Sequence, residues 1–169
     1  MRIAPVFPAI AIAGVMVLGV WSSAAADDRD LCKTASGDEA IGACTRAIDS
    51  KKFNTKKNAR VLSLLYTNRG VEYEIKREYD KAIEDHDQAI KIDPKNPAPY
   101  NNRGNAYLGK SDYEHALADF DQAIKLNPKY AEALFNRGTA KKNHGDLAGG
   151  ETDIAEAKLL QPGIGAPAQ

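Results

Sequence analysis

A five-residue block returns twice at one constant interval, and that interval limits the fold more than any other property of the chain. Tyr66-Thr67-Asn68-Arg69-Gly70 recurs as Tyr100-Asn101-Asn102-Arg103-Gly104 and as Leu134-Phe135-Asn136-Arg137-Gly138, 34 residues apart each time. A second block keeps the register: Asp87-Gln88-Ala89-Ile90 with Pro94 returns as Asp121-Gln122-Ala123-Ile124 with Pro128, then weakens to Ala155-Glu156-Ala157-Lys158 with Pro162. A fixed period of this length marks a repeat array, whose units bury their apolar faces only by stacking on neighbours. The units are 63–96, 97–130 and 131–164.

Each unit reads as two helices. Tyr113, Ala116, Leu117, Phe120, Ala123 and Ile124 recur at three and four residues, one face of a helix. Lys110-Ser111-Asp112 and Gly145-Asp146 supply turn and capping residues between the halves, and proline closes each unit because it cannot continue a helix. These residues resemble the tetratricopeptide repeat. That family places a large apolar residue at position 4 and glycine or alanine at 8. An aromatic stands at 11, alanine at 20, a bulky residue at 24, alanine at 27 and proline at 32. Unit two supplies Tyr100, Gly104, Tyr107, Ala116, Phe120, Ala123 and Pro128. Unit one supplies Tyr66, Gly70, Tyr73, Ala82, Ala89 and Pro94, with His86 in place of the aromatic. Unit three supplies Leu134, Gly138, Ala157 and Pro162, and departs at Lys141 and Gly150. The resemblance implies an all-α fold, a right-handed superhelix of stacked helix-turn-helix hairpins (an α-solenoid), and a non-catalytic protein-binding role.

Residues 38–50 look like another second helix, with Ala40, Cys44 and Ala47 where alanine, a bulky residue and alanine are expected. They stand about eight residues out of register, the insertion being a basic stretch with Lys51, Lys52, Lys56, Lys57 and Arg60. Residues 27–62 therefore read as a partial N-terminal hairpin plus a basic loop, which is either solvated or an anionic-surface contact. Cys32 and Cys44 are the two cysteines. Twelve residues along one helix span about 18 Å, so a disulfide requires a chain reversal between them. Ser36-Gly37-Asp38 provides one. The alternative, a redox-active pair, lacks Cys-x-x-Cys spacing.

Residues 1–26 read as a signal peptide: Met1-Arg2, an uncharged stretch from Ile3 to Trp21, and Ala24-Ala25-Ala26 before Asp27-Asp28. About 19 apolar residues also suffice to span a bilayer, so a retained anchor is the alternative. Cleavage implies a periplasmic or secreted protein of exported bacterial type, with no stable membrane insertion afterwards. Lysine plus arginine equals aspartate plus glutamate at 23 each, a balance that argues against nucleic acid as partner. His86, His115 and His144 drift across faces with no i, i+4 pair, so no metal is expected, and no motif calls for a cofactor.

In the resembling family the first helix of each repeat lines a concave groove. Here that surface comprises Leu64, Thr67, Asn68, Val71 and Glu74, then Ala98, Asn101, Asn102, Asn105 and Leu108, then Glu132, Phe135, Asn136, Thr139 and Lys142, mostly uncharged. Some family members clamp an acidic C-terminal tail with paired lysines and asparagines, but Thr67 and Val71 stand where the first such pair is expected. Asn68, Asn102 and Asn136 form a row that either grips a peptide backbone or bonds locally, since an amide both donates and accepts. Arg69, Arg103 and Arg137, each followed sixteen residues later by Asp85, Asp119 and Asp153, predict an ion-pair ladder between helices. The tail 165–169 is too short for a capping helix, so the last face is either tolerated as exposed or covered by another molecule, a second copy of the chain included.

Overall fold

The computed structural model describes residues 21–166, and most of the sequence read as a signal peptide lies outside them. Eight helices occupy the described residues, in four hairpins: α1 (Trp21–Thr34) with α2 (Gly37–Asp49), α3 (Ala59–Ile75) with α4 (Tyr79–Ile92), α5 (Pro97–Gly109) with α6 (Tyr113–Leu126), and α7 (Ala131–Asn143) with α8 (Leu147–Leu160). No strand occurs among them. Each helix packs on the next in the chain, and α1, α3, α5 and α7 also touch in series, which makes them the inner layer of a solenoid.

Local chemistry sets the helix ends. Asn96 caps α5 by accepting from the Ala98 N–H at 3.1 Å, with Pro97 opening the first turn. Asp112 and Asp146 cap α6 and α8 by accepting from the N–H groups of His115 and Gly149. The turn inside each complete hairpin passes through one left-handed residue at the same place: Arg77 at φ 61°, Ser111 at φ 62° and Gly145 at φ 102°. Only the third repeat uses the residue that takes this conformation without a steric cost.

Position 24 fills the space inside each hairpin against the glycine at position 8. A Cβ on Gly104 would stand 2.7 Å from the Phe120 ring, and one on Gly70 2.5 Å from the His86 ring. Phe120 and His86 are both fully buried. The third repeat closes differently. Ile154 holds the bulky position, and a Cβ on Gly150 would meet the Gly138 carbonyl oxygen at 2.5 Å. Glycine at position 20 therefore permits a backbone approach that alanine would block, which explains one departure from the family pattern.

The basic insertion is not loose. Phe53 turns inward and is buried with Cys32, Ala43, Cys44, Ala47 and Leu65 in the N-terminal core. Asn58 donates to the Lys52 carbonyl at 3.3 Å, and a short 3-10 turn, Lys56–Asn58, leads into α3. The sulfurs of Cys32 and Cys44 lie at bonding distance, with Cα atoms 4.7 Å apart. The Gly37 N–H, at the start of α2, donates to Glu72 of α3 at 2.7 Å and fastens this hairpin to the array.

Candidate functional site: the inner face and its supporting ladder

Three arginines hold the hairpins closed and join each to its predecessor. Arg69 donates from Nε and Nη2 to the two carboxylate oxygens of Asp85, at 2.8 and 2.7 Å. Arg103 does the same to Asp119, and Arg137 to Asp153. The remaining Nη1 of each reaches back to the second helix of the preceding hairpin: to Thr45 at 2.9 Å, to Asp87, and to Asp121 at 2.7 Å. The predicted ladder is present, within and between repeats. Asp85, Asp119 and Asp153 are buried, so the fork geometry compensates their lost solvation. Lys141, the other departure of the third repeat, adds a bond to Asp153 at 2.9 Å. Burial pushes the Asp153 carboxyl up, but hydrogen bonds from Arg137 and Lys141 outweigh it and hold the group below the usual carboxylate range. Around the Arg103 guanidinium, the hydrogen bond to Asp119 dominates and drives its pKa further above the ordinary arginine value.

On this frame the inner face exposes a largely uncharged strip. Leu64 is half exposed, while Asn68, Val71, Asn102, Asn105, Leu108, Phe135, Asn136 and Thr139 are partly exposed and Lys142 is exposed. Thr67 and Asn101 are buried instead of facing outward. Thr67 donates to the Ser63 carbonyl at 2.8 Å. Asn101 accepts from Asn136 of the next repeat at 3.0 Å and donates to Asn102 at 3.2 Å. The asparagine row is thus partly tied together, which fixes two of its three amides in orientation and leaves the Asn102 amine and the Asn136 oxygen unused by that chain of bonds.

Two features of the face escaped sequence reasoning. At its N-terminal end, Arg29, Asp30 and Lys33 of α1 form a pocket with Val61, Leu64, Leu65 and Asn68 of α3. Only the hairpin geometry brings α1 there, because that helix carries no repeat signature. At the other end the tail turns back, with the Ile164 N–H donating to Gln161 at 3.0 Å and the Ala166 N–H to Gly163 at 3.2 Å. Gly165, at φ 74°, presses on the Phe135 ring so closely that a Cβ would come within 2.6 Å of it. His86 forms a different buried device: its Nε2 pairs with Glu74 at 2.8 Å, and its Nδ1 has no partner.

An array of stacked helical hairpins, with a strip of amides and apolar side chains along its inner layer, defines a helical repeat protein. Family models described as "Tetratricopeptide repeat" match residues 97–130 and 120–152, and one described as "TPR repeat" matches 72–111. The chain belongs to the tetratricopeptide repeat family. Among solved structures it is similar to the second TPR of Spaghetti (RPAP3) bound to the HSP90 peptide SRMEEVD, at 30% identity over 69% of this chain and 99% of that one, TM-score 0.57. It is also similar to the second TPR domain of human RPAP3 in complex with the HSP70 peptide SGPTIEEVD, at 32% identity over 64% and 88%, TM-score 0.57. The Arabidopsis OM64 TPR domain matches at 25% identity over 62% and 86%, TM-score 0.59. No curated protein sequence matches.

Proposed function

We propose that this protein is a non-catalytic interaction module that binds an extended segment of a partner protein along its inner face, in the periplasm or cell envelope. One observation carries the reading: Asn68, Asn102, Asn105 and Asn136 recur along the inner layer, each partly exposed, together with the apolar side chains of Leu64, Leu108 and Phe135. Amides pair with a peptide backbone whatever its sequence, and the apolar groups add contact area. The similarity to structures solved with short peptides supports a peptide as occupant. Thr67 and Val71, in place of a lysine and an asparagine, turn the preference away from an acidic C-terminal tail. The signal-like residues 1–26 support export, and export favours a Cys32–Cys44 disulfide. Cleavage after Ala26 would leave only eight residues of α1, too short a helix to persist alone, and the bridge would hold it on α2.

Selection of binders from a random peptide library with the full chain tests the proposal. The Asn68→Ala/Asn102→Ala/Asn136→Ala variant, retaining its helical circular dichroism, is expected to lose about a hundredfold in affinity, roughly 1 kcal/mol per lost hydrogen bond. Unchanged affinity contradicts it. Stacking of copies through α8 is the less supported alternative. Glu151, Ala155 and Lys158 stand where Leu117, Asp121 and Ile124 of α6 meet the following repeat's register, so the outer face of α8 has lost the residues that join internal repeats.

A further inference from the structure

The cations of this chain fall into two populations. At the turns inside hairpins and on the ladder most are paired, Lys76 with Asp38, Lys110 with Asp80, Lys81 with Glu78, and the three arginines with their aspartates; Lys33, Arg77 and Lys142 are the scattered exceptions. Those along the opposite edge, where one hairpin hands over to the next, are not. Lys51, Lys52, Lys56, Lys57 and Arg60 occupy the α2–α3 connection and the first turn of α3. Lys91 and Lys95 flank the α4–α5 connection, and Lys125 and Lys129 flank the α6–α7 connection at the same repeat positions. All nine are exposed, and none has a carboxylate partner among the described residues. The first two connections adjoin, since Arg60 shares a surface hollow with Lys95, and Lys56 shares another with Ile92 at the end of α4. Asp49, Asp93 and Glu132 are the acidic residues interspersed along it.

Helix stability accounts for only part of this arrangement. Lys91 and Lys125 sit in last turns, where the helix dipole favours a cation. The α2–α3 group does the reverse. Lys56, Lys57 and Arg60 crowd the N-terminus of α3, which carries no acidic residue in its first turn and no side-chain cap. No aspartate or glutamate occurs between Asp49 and Glu72 to offset them. Like charges gathered at the positive end of a helix, on a loop held still by Phe53, oppose the stability of the isolated molecule and are relieved by an external anion.

We propose that this edge docks the protein on an anionic lipid surface, leaving the inner face open to its partner. The chemistry favours a membrane over nucleic acid. Eight of the nine cations are lysines, point charges that neutralise phosphates without the bidentate fork that reads them. The one aromatic of the basic loop, Phe53, is buried and offers no platform for a base. Three connections in a row spread the charge along one side of the solenoid, as a broad surface requires.

Full-length protein should be mixed with phosphatidylcholine vesicles and with vesicles in which phosphatidylglycerol replaces roughly a third of the lipid. The ratio of bound fractions isolates the charge effect from any contribution of the apolar N-terminal stretch, which acts on both. A ratio well above one that collapses on raising salt is expected. Lys56→Gln/Lys57→Gln should lower it about tenfold, while Arg77→Gln/Lys158→Gln, with the same charge change away from the edge, should leave it within about twofold. The proposal is overturned by a ratio near one for the unmodified protein, by equal losses in the two variants, or by capture on an anionic polymer such as heparin without capture on the vesicles.

Discussion

Asp119 shows what a single buried carboxylate does here. It receives two bonds from Arg103, which also holds Asp87 of the preceding hairpin, so removing it strands a guanidinium in a half-buried site. Asp119→Ala should cost about 3–5 kcal/mol by chemical denaturation, whereas Arg103→Met/Asp119→Leu should come close to neutral, because replacing a buried pair by apolar groups removes both desolvation penalties. Asp153 makes the same point through pH. Its folded pKa lies below its ordinary value, so its contribution is complete above the usual carboxylate range and is lost as pH falls through the depressed value. Lys141→Met should raise that pKa and start acid unfolding of the last repeat at higher pH. The ladder was legible in the sequence because Arg69, Arg103 and Arg137 keep one phase with Asp85, Asp119 and Asp153. The buried fate of Thr67 and Asn101 was not, since position 5 faces a neighbouring repeat or the groove according to packing that periodicity does not encode.

At the scale of elements, helix pairing follows residue size. Phe120 keeps α5 and α6 apart at Gly104, while Ile154 lets α7 and α8 close on Gly138 and Gly150. Gly150→Ala would gain about 1 kcal/mol of helix propensity elsewhere. Here it should lower the melting temperature, because its Cβ would meet backbone oxygen that cannot move aside. Cys32→Ala/Cys44→Ala should cost about 2–4 kcal/mol if the bridge forms in the exported protein, read as faster amide exchange confined to α1 and α2. Repeats 63–96, 97–130 and 131–164 stand out in the sequence because each turn, cap and closing proline recurs. The placement of α1 does not, as its contact with α3 depends on a basic insertion that breaks the period before Ala59.

Across the whole molecule, the solenoid has one inner layer, one charged edge and a last helix, α8, that exposes Leu147, Leu159 and Leu160 among charged side chains. Glu151 and Lys158 on α8 replace the apolar residues that internal repeats present to the next hairpin, and the tail folds onto Phe135. Periodicity does not disclose this contact, because Gly165 reaches Phe135 through the turn after Pro162. Sedimentation should accordingly give a monomer over a hundredfold concentration range. The central claim concerns the amide strip, and the side-chain amide resonances of its asparagines report on it directly. Titration of the labelled protein with a library-selected peptide should shift the Asn68, Asn102, Asn105 and Asn136 side-chain signals together, with one affinity. Shifts confined to the outer layer formed by α2, α4, α6 and α8, with those four amides unmoved, would contradict the account.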